Sequence, residues 1–155
     1  MICEEYNEEA GEACFYLGQI YEHGLKGRRI LYDKASEYYA KALIRGITAS
    51  NTRLGVLFLN VNFKPELSNE ERENKALSFF RLGVENGDIE AHYEVGKLAL
   101  RSLNNENLDI GNDEWRQRIE IGAKLLDKAC AEKYKDSCEV LSSFLSSSCG
   151  MHIRL

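Results

Sequence analysis

The chain has 155 residues, of which 44% are hydrophobic, and its formal net charge is -5. A chain of this size and composition predicts one domain that buries a substantial core. Its acidic residues are spread along the whole length, which argues against a general affinity for nucleic acid and fits a basic partner better. No apolar run approaches the ~20 residues needed to cross a bilayer, and the acidic start at Glu4 and Glu5 does not have the pattern of a signal peptide.

Residues 13–46 predict two helices joined by a glycine-containing turn. The first helix is expected over residues 8–23 and the second over 31–45, with Gly24 and Gly46 ending them. Each helix has a face of small and apolar residues at the spacing i, i+3, i+4 and i+7. These faces contain Cys14, Leu17, Gly18 and Tyr21 in the first helix and Ala35, Tyr38, Tyr39 and Ala42 in the second. Small residues on both faces let the two helices approach closely.

The rest of the chain repeats this module with changes. Leu54 and Gly55 follow Leu17 and Gly18 by 37 residues, and Gly96 follows Gly55 by 41. The length changes fall in the hairpin loops, which is typical of an α-solenoid. We expect units at about 8–46, 48–87, 89–133 and 137–155, which give three full repeats and a terminal helix in one all-α domain. The alternative is a helical bundle without repeats.

Some segments depart from the repeat. Ser68 and Glu71 predict a capping box at the start of the second helix of the second unit. The longest predicted loop, residues 104–112, precedes the only tryptophan, Trp115. A tryptophan in this place is either a contact residue for a partner or a hydrophobic anchor for the loop. The serine-rich tail is expected to cap the array or to fray.

The five cysteines give two similar pairs and one single residue. Cys130 and Cys138 lie on consecutive predicted helices, and Cys3 and Cys14 have nearly the same relation, so a bond within each pair would join neighbouring repeats. Two such pairs suggest disulfides and an oxidising compartment, with Cys149 left over. The alternative is a cytosolic protein whose free cysteines pack as small hydrophobic residues.

The first unit reads A-x-x-x-L-G-x-x-Y-x-x-G, followed by a second helix with K-A-x-x-Y-Y-x-K-A-x-x-x-G. This pattern resembles the Sel-one-like repeat (SLR), a relative of the tetratricopeptide repeat. The matching residues are Ala13, Leu17, Gly18, Tyr21, Gly24, Lys34, Ala35, Tyr38, Tyr39, Lys41, Ala42 and Gly46. Asp33 stands two places from the usual aspartate of the family, and the Tyr21 position becomes Phe58 in the second unit. The resemblance covers nearly the whole chain and implies stacked antiparallel helix hairpins.

The segment KACAEKYKDSC is similar to the secreted, cysteine-rich SLR proteins of bacteria. This resemblance implies a bond between Cys130 and Cys138 and, by the same relation, one between Cys3 and Cys14. It also implies a periplasmic or secreted location. Some proteins of this subset bind or slowly hydrolyse β-lactams, but the chain lacks the Ser-x-x-Lys arrangement that such chemistry usually uses.

No pattern in the sequence predicts a catalytic site. His23, His92 and His152 lie on different units and form no close pair of metal ligands. His92 occupies the same repeat position as Cys14 and Cys138, so we expect a packed histidine there. Since no glycine-rich phosphate loop occurs either, we predict a non-enzymatic protein with no cofactor and no metal.

Solenoids bind partners with the concave surface formed by the first helix of each hairpin. Counted from the Leu-Gly pair, the positions on this face are Phe15, Gln19, Glu22, His23, Thr52, Val56, Leu59, Asn60, Tyr93, Lys97, Leu100 and Arg101. Tyr93 and Arg101 are the predicted hot spots, and we expect that replacing them removes little core packing. The alternative is that these positions are ordinary solvated surface.

The leading hypothesis is therefore a protein-binding SLR scaffold of the bacterial envelope or secreted space. A narrower hypothesis is an immunity protein that neutralises a toxin or effector. Two alternatives remain open at this point: a β-lactam-binding or hydrolysing protein of the cysteine-rich subset, and a cytoplasmic adaptor that is a fragment of a longer repeat protein.

Overall fold

The computed structural model describes residues 2–4, 7–103 and 113–147, and in these ranges all regular elements are helical. A short 3₁₀ helix, Ile2–Glu4, is followed by seven α-helices. They are α1 Glu8–His23, α2 Tyr32–Ile44, α3 Ala49–Leu59, α4 Asn69–Glu85, α5 Ile89–Leu103, α6 Asp113–Ala131 and α7 Ser137–Ser147. The predicted all-α fold is confirmed, with the helix bounds close to those expected from the sequence.

The chain divides into two units, Met1–Asn86 and Gly87–Leu155. Their boundary coincides with the predicted junction between the second and third repeats. In the first unit, α1 packs on α2, α2 on α3 and α3 on α4. In the second unit, α5 packs on α6, and α7 packs mainly on α6. Within each unit, each helix thus packs against its neighbours in the sequence, which is consistent with consecutive helix hairpins.

A glycine marks the place where the two helices of each hairpin approach. A Cβ atom added at Gly18 would lie 2.6 Å from the ring of Tyr39, and one added at Gly55 would lie 2.5 Å from the ring of Phe80. In the second unit, Gly96 lies in the same way against the side chain of Leu126. The predicted role of these three glycines is confirmed, since none of them leaves room for a side chain.

Three helix ends have clear caps, and the sequence predicts two of them, Gly24 and the Ser68 capping box. The Asn7 side chain accepts a hydrogen bond of 2.7 Å from the Ala10 amide at the start of α1. Gly24 ends this helix in the left-handed conformation, with φ 65°. At the start of α4, Ser68 and Glu71 form the predicted capping box. The Ser68 amide donates to the Glu71 carboxylate at 2.8 Å, and the Ser68 hydroxyl oxygen accepts from the Glu71 amide at 3.2 Å. Hydrogen bonding of the Glu71 carboxyl to the Ser68 backbone first, and to its side chain second, lowers the pKa of that carboxyl.

Aromatic pairs recur at equivalent positions of the first two hairpins. The rings of Tyr21 and Tyr38 are stacked with centroids 5.6 Å apart, and those of Phe58 and Phe79 are stacked at the same separation. The buried residues of the first unit form two clusters, one with Ala35, Tyr39, Leu54, Leu57 and Phe63 and one with Cys3, Cys14 and Ala42. The second unit buries Tyr93, Ala123, Leu126, Ala129, Leu141 and Phe144 together.

Two disulfides join neighbouring elements, as predicted. Cys3–Cys14 connects the 3₁₀ helix to α1, and both residues are buried. Cys130–Cys138 connects the end of α6 to α7, and Cys138 is exposed. The alternative that these four cysteines are free is therefore wrong. The predictions for the loop 104–112, for the Trp115 side chain, and for the tail with Cys149 lie outside the described residues.

Candidate functional site

The first unit holds eight of the twelve residues predicted to bind a partner, and their exposure differs widely. On α1, His23 is exposed, Phe15 and Gln19 are half-buried, and Glu22 is buried. On α3, Val56 and Leu59 are half-buried and Thr52 is completely buried, and Asn60, which follows α3 directly, is half-buried. Half-buried Phe15 contacts the ring of Tyr39, with centroids 5.4 Å apart. A partner can reach His23, Gln19 and the exposed parts of Phe15, Val56 and Asn60, whereas Thr52 belongs to the interior.

Buried Glu22 is the centre of a polar network within the first unit. The Tyr39 hydroxyl donates a 2.5 Å hydrogen bond to its carboxylate, and Arg53 Nε donates another at 3.2 Å. A second Arg53 nitrogen, Nη2, pairs with the other carboxylate oxygen. Burial, together with the negative charge of Glu22, raises the pKa of the Tyr39 hydroxyl well above its usual value. Glu22 therefore joins α1, α2 and α3, and both of its carboxylate oxygens are engaged within the fold.

Tyr93 has a similar structural role in the second unit. Its side chain is buried in the core cluster, and its hydroxyl donates a hydrogen bond to the Asp136 carboxylate. Its ring packs edge-on against that of Tyr134, with centroids 5.4 Å apart. Burial first, and the bond to Asp136 second, raise the pKa of Tyr93, while the same bond lowers the pKa of Asp136. The prediction that Tyr93 can be truncated with little loss of packing is wrong.

Lysines surround the Tyr93 ring in the same unit. The Lys97 ammonium lies 4.4 Å from the ring centroid and 3.1 Å from a carboxylate oxygen of Glu94. Lys135 lies 4.9 Å from the Tyr134 centroid and 3.9 Å from Glu90. Of the other predicted groove residues of this unit, Lys97 and Leu100 are half-buried and Arg101 is exposed. The ammonium groups of Lys97 and Lys135 thus lie over the rings of Tyr93 and Tyr134, and Glu94 and Glu90 of α5 partly neutralise their charges.

Sequence reasoning missed Arg72, a buried cation near the N-terminus of α4. Its side chain reaches the loop between α3 and α4, where four backbone carbonyl groups of the loop and that of Phe58 on α3 surround the guanidinium. The shortest bonds run from Nη2 to the Lys64 oxygen at 2.5 Å and from Nη1 to the Phe63 oxygen at 2.6 Å. The position of Arg72 in the sequence could have indicated a buried partner. The helix dipole disfavours a cation so near a helix N-terminus unless the cation has another partner.

Within residues 2–4, 7–103 and 113–147, no group of three or more His, Cys, Asp or Glu side chains is placed to hold a metal ion. His92 is buried, and its Nδ1 lies 2.7 Å from the Asp88 carbonyl oxygen, which fits the predicted packed histidine. No helix within the described ranges combines the length and the hydropathy that crossing a membrane requires.

The fold and these contacts define a disulfide-bonded, all-helical protein built from consecutive hairpins. Comparison of the chain with models of known families, with curated proteins and with solved structures finds no match. The family therefore has to be argued from the repeated residues and from the packing of the hairpins themselves.

Proposed function

We propose that the protein is a non-enzymatic scaffold of the SLR type that binds a protein partner. The assignment to the SLR type is supported by the repeated contacts of Gly18 and Gly55 and by the recurring aromatic pairs. A helical bundle without repeats has no need to place the same contacts in successive hairpins. A hairpin repeat is a scaffold without chemistry of its own, so its function lies in the surface that it presents.

The observation that carries the binding part is the surface of the α1–α2 loop, residues 24–31. Leu25, Ile30 and Leu31 are 43%, 50% and 41% exposed there. Single exposed apolar residues are ordinary, but three within one short loop form a small patch of the kind that partners cover. The accessible groove residues, such as Phe15, Gln19 and His23, are a second candidate surface.

The two disulfides support action in an oxidising compartment, that is, the periplasm or the secreted space. There a small disulfide-bonded binder with a net charge of -5 suits an inhibitor, and the narrower proposal is an immunity protein for a basic toxin or effector. Five alkylatable thiols in the unreduced native protein would contradict this choice of compartment.

The test is capture of a partner from native envelope or secreted extract, followed by calorimetry with the purified partner. We expect one saturable partner and no turnover of nitrocefin. Alanine at Gln19 and His23 tests the groove, and alanine at Glu37 and Lys41 on α2 is the matched control. Turnover of nitrocefin by pure protein, or the lack of any saturable protein partner, would overturn the proposal.

A further inference from the structure

The loop between α1 and α2 has a defined backbone although its side chains face solvent. Three residues adopt positive φ, namely Gly24 at 65°, Lys26 at 51° and Gly27 at 70°. The Leu25 amide donates to the Ile20 carbonyl at 3.0 Å, and the Leu31 amide donates to the Tyr21 carbonyl at 2.9 Å. Both ends of the loop are thus hydrogen-bonded to the last turns of α1, which anchors the backbone that carries these exposed side chains.

All residues from 25 to 31 are exposed. The apolar members are Leu25, Ile30 and Leu31, and the side chain of Tyr16 on α1 extends the patch, because the Lys26 ammonium lies 4.8 Å from its ring centroid. Tyr16 is itself exposed. We call this surface, residues 25–31 with Tyr16, the basic loop.

All charged residues of the basic loop are basic. It carries Lys26, Arg28 and Arg29, with no acidic residue between positions 24 and 32. The two nearest acids in the sequence are engaged elsewhere, since Glu22 is paired with Arg53, and Asp33 is paired with Lys64 at 2.9 Å.

No described side chain supplies a counter-charge for the two arginines. Within residues 2–4, 7–103 and 113–147, the guanidinium groups of Arg28 and Arg29 take part in no ion pair and no hydrogen bond to a side chain. Two adjacent exposed arginines that no described acceptor binds, beside three exposed aliphatic side chains, have the composition of a binding surface, in which arginine supplies planar donors for carboxylates.

We propose that the basic loop is the docking surface for an acidic segment of a protein partner, one that also carries aliphatic side chains. Carboxylates of that segment bind Arg28 and Arg29, and its aliphatic groups cover Ile30 and Leu31. The inference rests on the proposed function, because it names the chemistry of the partner's contact segment. A partner that is basic as a whole can still contain such a segment.

Charge complementarity favours a short protein segment over a membrane or a nucleic acid. Recognition of anionic lipid uses clusters of about 4–8 basic residues, and the basic loop has three. The chain as a whole carries a charge of -5, which repels an extended anionic surface. A short segment that touches only the loop avoids most of this repulsion, because salt screens charges beyond about 8 Å.

The experiment is a titration of the folded full-length chain, followed by NMR of its backbone amides. The probe is a synthetic peptide rich in glutamate and leucine, and its control has glutamine in place of every glutamate. We expect shifts confined to residues 24–31 and their neighbours on α1. The variant Arg28→Glu with Arg29→Glu should weaken peptide binding by about tenfold or more, whereas Arg81→Glu with Lys128→Glu, which changes the net charge equally at exposed sites, should not.

Equal binding to the two variants, or shifts that leave residues 24–31 unchanged, overturns the inference. Vesicles of phosphatidylglycerol and phosphatidylcholine are titrated in parallel, and shifts of the loop at lower concentrations of lipid than of peptide also overturn it. The proposed function is judged separately by partner capture. A captured partner that binds the Arg28→Glu, Arg29→Glu variant undiminished refutes only the loop, whereas peptide binding without any capturable partner refutes only the proposed function.

Discussion

The two hairpin loops of the first unit use their side chains in opposite ways. The α1–α2 loop, residues 24–31, exposes three aliphatic and three basic side chains. The α3–α4 loop, residues 60–68, turns Phe63 inward until it is 2% exposed, and its backbone carbonyls surround the buried guanidinium of Arg72. One loop is held from inside by its own Phe63 and by Arg72 of α4. The other is held at its ends and leaves its side chains available, which is why we place binding there.

The helices beneath these loops do not explain the difference. Gly18 meets Tyr39 as Gly55 meets Phe80, and the stacked aromatic pairs have the same separation in both hairpins. Two hairpins of the same design can therefore carry one structural loop and one exposed loop. The comparison can be tested by changing each loop and each crossing in turn.

The largest effect is expected for Phe63→Ala. Phe63 packs edge-on against Phe58, with centroids 5.1 Å apart, and its loss would leave a cavity in the core cluster of the first unit. Large-to-small changes of this kind cost about 3–5 kcal/mol. Urea unfolding measures the loss. Val61→Ala in the same loop is the control, because Val61 is 64% exposed and should change stability by no more than about 0.5 kcal/mol.

The next effect is expected for Arg72→Met, which keeps most of the side-chain volume and removes the donors. Hydrogen bonds from a charged group contribute about 1.5–3 kcal/mol, and carbonyls left buried without a donor add to the loss. We expect about 2–3 kcal/mol in urea unfolding and faster amide exchange in residues 60–68. Arg72→Lys should lose less, because an ammonium can still donate to some of the carbonyls. Unchanged exchange in the loop would show that Arg72 does not hold it.

A smaller loss of stability is expected when a side chain is added at the glycine where the two helices of a hairpin cross. The Cβ atom of Gly55→Leu would lie 2.5 Å from the Phe80 ring, so the two helices must separate. Overpacking typically costs about 1–3 kcal/mol, and Gly18→Leu against Tyr39 should cost a similar amount. Thermal melts of both variants measure this. A variant as stable as the parent chain would mean that the glycine does not lie at the crossing.

The sequence predicted those features of the structure that depend on residues close together in the chain. Gly24, the Ser68 capping box and both cysteine pairs act over short distances in the chain, and each lies where the pattern placed it. The repeat spacing also located Gly55 at a crossing, because a shared register carries the contact from one hairpin to the next.

The sequence did not predict polar contacts whose partners lie farther away. Counting along a helix gives the direction of Glu22, but Arg53, which neutralises it, comes from the next hairpin. The contact of Tyr93 with Asp136 was missed for the same reason, since the two residues lie 43 positions apart. Four of the five carbonyls around Arg72 belong to a loop whose path no periodicity describes. The periodicity of a helix predicts the face on which a residue lies. Polar partners that are distant in the sequence decide which residues on that face are buried.

The smallest effect on stability is expected in the basic loop. The combined variant Leu25→Ser, Arg28→Ser and Ile30→Ser removes exposed side chains and leaves the backbone bonds of Leu25 and Leu31 intact. Substitutions at exposed positions usually change the free energy of unfolding by no more than about 0.5 kcal/mol. The urea midpoint of this variant should therefore stay close to that of the parent chain, while its binding of the acidic peptide is lost. A loss of stability comparable to that of Phe63→Ala would show that this loop supports the fold as the α3–α4 loop does. The contrast between the two loops, and the assignment of binding to the first, would then be wrong.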